Sequence, residues 1–156
     1  MQRAVVHGLE QAREDLLAWT ADLDEAEMCA KPHQLAPVGF QLRHIAGSVD
    51  RLLTYADGED LNEAQLTELR GEMTAVFTSH EVRALAMERL LEAEKRVRGF
   101  DPARLDEPRW VGKKRLPTTL AGLLIHTVEH TQRHVGQLII TVRVLRGLRT
   151  VGEKKL

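Results

Sequence analysis

The stretch TTLAGLLIHTVEHTQRHVGQLIITVRVLRG, residues 118–147, decides how this chain is read. Its apolar residues Leu120, Leu124, Val128, Leu138 and Val142 recur at helical spacing, which predicts one long helix from near Thr118 to Gly147. A helix of about 28 residues spans about 42 Å. Working outward, Val82, Leu85, Ala86, Leu90, Ala93 and Val97 form a regular stripe that Thr78-Ser79-His80-Glu81 opens as a capping box and Gly99 with Pro102 closes. Val38, Leu42, Ile45, Val49, Leu52 and Leu53 mark another helix, ended by Asp57-Gly58. Val5, Leu9, Ala12, Leu16, Leu17 and Trp19 mark the first, from about Gln2 to Thr20. A weaker helical stretch runs from Asn62 to Glu72, bounded by Gly71, and the segments 22–37 and 100–117 read as loops. The expected fold is all-α: an antiparallel four-helix bundle with a short extra helix and loops. Residues 1–150 form a single domain in this reading, and 151–156 a C-terminal tail.

Composition agrees and removes several functions. Of the 156 residues 43% are hydrophobic, enough for a core without disulfides, and only 4% are aromatic. A formal net charge of −1 gives no global electrostatic reason to bind nucleic acid or an anionic membrane. No apolar run is long enough to span a bilayer, and the polar start Met-Gln-Arg-Ala is unlike a signal peptide. A single cysteine, Cys29, rules out an internal disulfide. A cytoplasmic protein is expected.

The long C-terminal helix carries His126, His130 and His134 at four-residue intervals, so neighbouring imidazoles share a face. His126 and His134 stand roughly 12 Å apart along the axis, too far to hold one ion. The helix therefore offers one pair, His126 with His130 or His130 with His134, and a third ligand must come from elsewhere. His44 on the apolar second long helix is the leading candidate. Three imidazoles leave open positions on a divalent ion, which is a catalytic rather than a structural pattern. The alternative is a set of packed histidines.

The segment Leu42-Arg-His44-Ile-Ala-Gly-Ser48-Val-Asp50-Arg51-Leu-Leu-Thr-Tyr55-Ala-Asp-Gly58, with Glu129-His130-Thr-Gln-Arg-His134-Val-Gly136-Gln137-Leu138, resembles the DinB-like (DinB/YfiT) superfamily of metal-dependent enzymes. The resemblance extends over most of the chain and implies a four-helix bundle with His44, His130 and His134 as metal ligands, to nickel, zinc or a similar ion. It makes His126 the extra histidine. Many relatives carry a further His just before the final ligand, where this chain has Arg133. The resemblance also implies transfer of a low-molecular-weight thiol such as bacillithiol or mycothiol to a small-molecule substrate, and a homodimer. Metal-dependent hydrolysis, and a bundle that binds a metal or metabolite without turnover, are the alternatives.

Around this set, His126 and Gln137 are the candidate catalytic residues. His126 lies one turn before His130, as a proton carrier, a partner to a ligand or a packed side chain. Gln137 lies three residues after His134, close enough to orient it or to meet a substrate. Gly136 is expected to permit close helix packing, and Ser48 to bond its own helix. Asp50 and Arg51 are expected to form an ordinary polar pair, while Glu129 is turned about 100° from His130 and points away. Cys29 has no basic cluster to activate it. His7, His33 and His80 lack ligand spacing. Lys113-Lys114-Arg115 reads as a solvated turn, and Arg143, Arg146, Arg149, Lys154 and Lys155 as complements to a helix dipole.

Overall fold

A computed structural model describes residues 1–74 and 76–153, with side chains as far as Thr150 apart from position 75. The four expected long helices are α1 (Gln2–Thr20), α3 (Val38–Asp57), α5 (Ser79–Gly99) and α6 (Leu120–Glu153). The Thr78 hydroxyl accepts from the Glu81 backbone while the Glu81 carboxylate accepts from that of Thr78, which starts α5 where the capping box placed it. Gly58 ends α3 in the left-handed region at φ 92°, a conformation that suits glycine. The weaker stretch is α4 (Glu63–Gly71), opened by a reciprocal Asn62–Gln65 cap.

Two segments read as loops carry regular structure. Residues 22–37 hold the short helix α2 (Glu25–Cys29) and a single 3₁₀ turn at Pro32–Gln34. Residues 100–117 contribute most of an antiparallel hairpin of β1 (Pro108–Val111) and β2 (Leu116–Thr119), with Trp110 opposite Pro117. Elements this short lack enough periodic positions to register in a sequence pattern. The hairpin passes directly into α6, where Thr119 accepts a hydrogen bond from the Gly122 backbone at 3.1 Å. The last helix has 34 residues and continues past Gly147 into the expected tail, through Glu153; Lys154 and Lys155 lie outside the described residues.

The long helices form a ring in which α1 and α3 each pack against both α5 and α6. Directions follow from the paired residues. α5 is antiparallel to α1, since Gln2 meets Val97 and Arg83 meets Thr20. α6 is antiparallel to α3, since His134 meets Gln41 and Thr141 meets Ala36. By contrast α3 runs alongside α5, and α1 alongside α6, because the crossover containing α4 returns the chain to the end where α3 began. The core is aliphatic, with Leu9, Leu16, Leu42, Ile45, Leu53, Leu90, Leu124 and Leu138 fully buried. No helix among the described residues is long and apolar enough to cross a membrane.

The arginines of α6 act as clamps rather than as dipole complements. Arg146 and Arg149 both bind Asp22, Arg149 also binds Glu27, and Arg143 and Arg146 lie over the Trp19 ring. Close approach of α1 to α6 depends on Gly8, where a Cβ would stand 2.3 Å from Val128 Cγ2. The stiff β-branched Val128 cannot swing aside. Gly8→Ala is therefore expected to destabilise the fold by about 1–3 kcal/mol, measured by urea denaturation.

Candidate metal centre

The α3–α6 contact brings three histidines together. His44 comes from the first half of α3, and His130 and His134 from successive turns of α6. One ring nitrogen of each lies within 4.8 Å of the others, and all three side chains are partly buried. Ring centroids are 4.3 Å apart for His44 and His134, 4.6 Å for His130 and His134, and 5.2 Å for His44 and His130. His126 stays outside this set. Its ring meets His130 edge-on at 5.7 Å, and its Nδ1 lies 3.5 Å from the exposed carboxylate of Glu129. Glu129 also accepts from Arg133 at 2.7 Å, so it belongs to the rim.

Two residues that spacing did not single out hold the rings. Gln41, 2% exposed, lies one turn before His44 and accepts from His134 Nδ1–H at 2.7 Å. Its amide nitrogen donates to Gln137 Oε1 at 3.1 Å, so one side chain fixes His134 and Gln137 together. On the other side, His44 Nδ1–H donates to Glu72 Oε2 at 2.8 Å. Gln41 carried a faint signal, being an amide on an apolar helix face. Glu72, just past the weak helix α4, carried none.

Other expectations around the site fall both ways. Ser48 bonds its own helix at Ile45 O, 3.2 Å away. Gly136 permits no close packing: a Cβ there would meet nothing within 4 Å, so that face of α6 is open. Asp50 and Arg51 do not pair with each other. They point to different neighbours, Asp50 to Gln65 and Arg96, and Arg51 to Glu72. Cys29 ends α2 and is exposed, as are His7, His33 and His80. At the hairpin turn, Arg115 lies over the Trp110 ring at 5.0 Å.

Electrostatics keep two of the rings neutral. Burial, followed by the neighbouring His134, His44 and His126, pushes His130 down to about 4. Burial also lowers His134 to about 4, with His44 and Arg133 adding to the effect. Neutral imidazole is the form that ligates a metal. His130 Nδ1 is buried with no hydrogen-bond partner among the described residues, a polar atom whose lone pair or proton is unmet. Neutral rings and convergent nitrogens fit a divalent cation of the kind that imidazole donors hold.

The fold agrees with what the chain is similar to. A sequence profile of the DinB superfamily matches residues 8–138. No curated protein matches it closely enough in sequence to count as a relative. Among solved structures it is similar to YfiT from Bacillus subtilis, at 16% identity and a TM-score of 0.68, over 92% of this chain and 87% of that one. YfiT is described as a probable metal-dependent hydrolase with an unusual four-helix bundle topology. It is also similar to a conserved protein from Enterococcus faecalis, at 18% identity and a TM-score of 0.67, over 94% and 98% of the two chains.

The lowered imidazoles give a pH dependence for the metal-free protein. Unfolding restores both rings to their ordinary value of 6.5, so the unfolded chain binds more protons between about 4 and 6.5. Stability is expected to be full above that window and to fall as pH drops through it, seen as a declining melting temperature in chelator-treated protein. A His130→Gln, His134→Gln double variant should show a shallower decline, and an equal slope would contradict this account.

Proposed function

This chain belongs to the DinB superfamily, and from that premise we propose that it is a divalent-metal-dependent enzyme whose ion is held by His44, His130 and His134. The observation that carries the reading is the convergence of three ring nitrogens, two of them on rings kept neutral by burial. A divalent ion bound by neutral ligands alone keeps its full charge and supplies acidification of a thiol or water. We propose nickel or zinc as the metal, a low-molecular-weight thiol as the nucleophile, and a small electrophilic molecule as the substrate.

The chain's own residues fill supporting roles in this scheme. Gln41 fixes the His134 ring and, through Gln137 Oε1, leaves the Gln137 amide nitrogen available to a substrate. His126 stands beside His130, at the edge of the cluster, where it can carry a proton between the site and solvent.

Hydrolysis is the second reading, and one feature favours it. The half-exposed His126 faces the Glu129 carboxylate at 3.5 Å, an imidazole–carboxylate arrangement able to serve as a general base. The description of the Bacillus neighbour points the same way.

Metal content measured by mass spectrometry on protein purified without chelator tests the proposal. Wild type is expected to hold near-stoichiometric metal, and His130→Ala to lose most of it. Wild type that stays empty after exposure to nickel and zinc would refute the metal reading. With loaded protein, His126→Ala separates the two chemistries: it is expected to lower hydrolysis by about 10²–10⁴-fold if His126 is the base. Thiol transfer, whose nucleophile needs no such base, should fall far less.

A further inference from the structure

The three converging rings differ in what stands behind them. His134 donates to a neutral amide, Gln41, and His130 Nδ1 has no partner among the described residues. His44 alone faces a carboxylate, Glu72 Oε2 at 2.8 Å. Glu72 is 5% exposed and follows the last residue of α4, so it reaches His44 from the crossover rather than from the bundle helices. Its other oxygen lies 2.7 Å from Arg51 Nη2, seven residues after His44 on the same face of α3. This is an ion pair by distance that lacks hydrogen-bond geometry and leaves Glu72 Oε1 and Arg51 Nη1 without a hydrogen-bond partner among the described residues. Between them is Gly47, whose missing side chain makes the room. A Cβ there would stand 2.5 Å from Arg51 Nη1 and 2.9 Å from Glu72 Oε1.

A buried carboxylate–guanidinium pair contributes little net stability by itself, because desolvation offsets the attraction. Two facts give this pair a further purpose. It is sited against an imidazole N–H, and α3 forgoes a side chain at residue 47 to admit it. A carboxylate accepting from one imidazole nitrogen fixes the tautomer and the ring plane, and strengthens the lone pair of the other nitrogen. Neutral Gln41 gives His134 the orientation without the charge.

We infer that Glu72, steadied by Arg51 in the space left by Gly47, is a positioning residue that makes His44 the firmest of the three ligands. The seating of the end of α4 thereby completes the metal centre. This rests on the metal reading above, and its test separates the two.

The test compares wild type, Glu72→Ala, Glu72→Gln and Gly47→Ala by chelator competition for Zn²⁺, by the visible absorption of the Co²⁺-loaded protein, and by melting of the metal-free forms. Glu72→Ala is expected to bind metal about 10–100-fold more weakly and to shift the Co²⁺ bands. Glu72→Gln keeps an acceptor oxygen without the charge and should fall between. Gly47→Ala removes no polar group and displaces only the far end of the Arg51 side chain and the Glu72 carboxylate. It should weaken metal binding while leaving the metal-free melting temperature within a few degrees of wild type. Wild-type affinity and spectrum in both Glu72→Ala and Gly47→Ala would overturn the inference and leave the metal centre standing. So would a lowered melting temperature in Glu72→Ala with unchanged affinity, the mark of a purely structural ion pair. A wild type that takes up no metal would overturn both.

Discussion

Along the line where α3 crosses α6, apolar packing and a polar seam share one interface. Leu42, Ile45 and Val49 on α3, with Val135, Leu138 and Val142 on α6, belong to the buried core. Between these layers lie Gln41, His44, His130 and His134, which no hydrophobic contact could replace. The seam is tolerated because almost every polar atom in it is met: both ends of the Gln41 amide are bonded, as are the far nitrogens of His44 and His134. The direction of α6 relative to α3 is thus set twice, by aliphatic fit and by hydrogen bonds that close in one register.

Polar groups elsewhere in the interior follow the same economy. Thr127 and Thr131 are fully buried on α6, and each returns its hydroxyl to a carbonyl one turn back, at 2.8 Å. Asp50, at the α3–α5 interface, gathers Gln65, Arg96 and Arg89 and so ties the crossover helix to both long helices. Glu94 on α5 receives Arg13 from α1. Among the described residues the exceptions gather near the three histidines: His130 Nδ1, Glu72 Oε1 and Arg51 Nη1 are buried without a hydrogen-bond partner, as is Arg43 Nε on α3.

Much of the architecture was legible from one chain. Long amphipathic stripes, the Thr78–Glu81 box and Asp57-Gly58 mark helices whose bounds the structure reproduces closely, since such signals repeat over many turns. Four-residue spacing offered His130 with either His126 or His134, the apolar second long helix offered His44, and the family resemblance chose His134 over His126. Short elements stayed hidden: the hairpin at 108–119 and the helix at 25–29 offer too few positions for a period to show. Partners across the fold stayed hidden too. That Arg51 reaches Glu72 instead of Asp50, or that Arg149 reaches Asp22 and Glu27, depends on where the crossover and the inter-helix segments land. The open face at Gly136 shows the converse error, since a glycine in a long helix implies crowding only where a neighbour comes close.

The ring order of the helices has a consequence for how the protein is made. Because α6 fits between α1 and α3, the first 119 residues hold only three of the four long helices and lack the partner that covers the aliphatic faces of α1 and α3. His44 and Glu72 both belong to that earlier part of the chain. The last helix closes the lid and brings the remaining two imidazoles in the same motion. The three-imidazole set is therefore complete only when the last helix is seated.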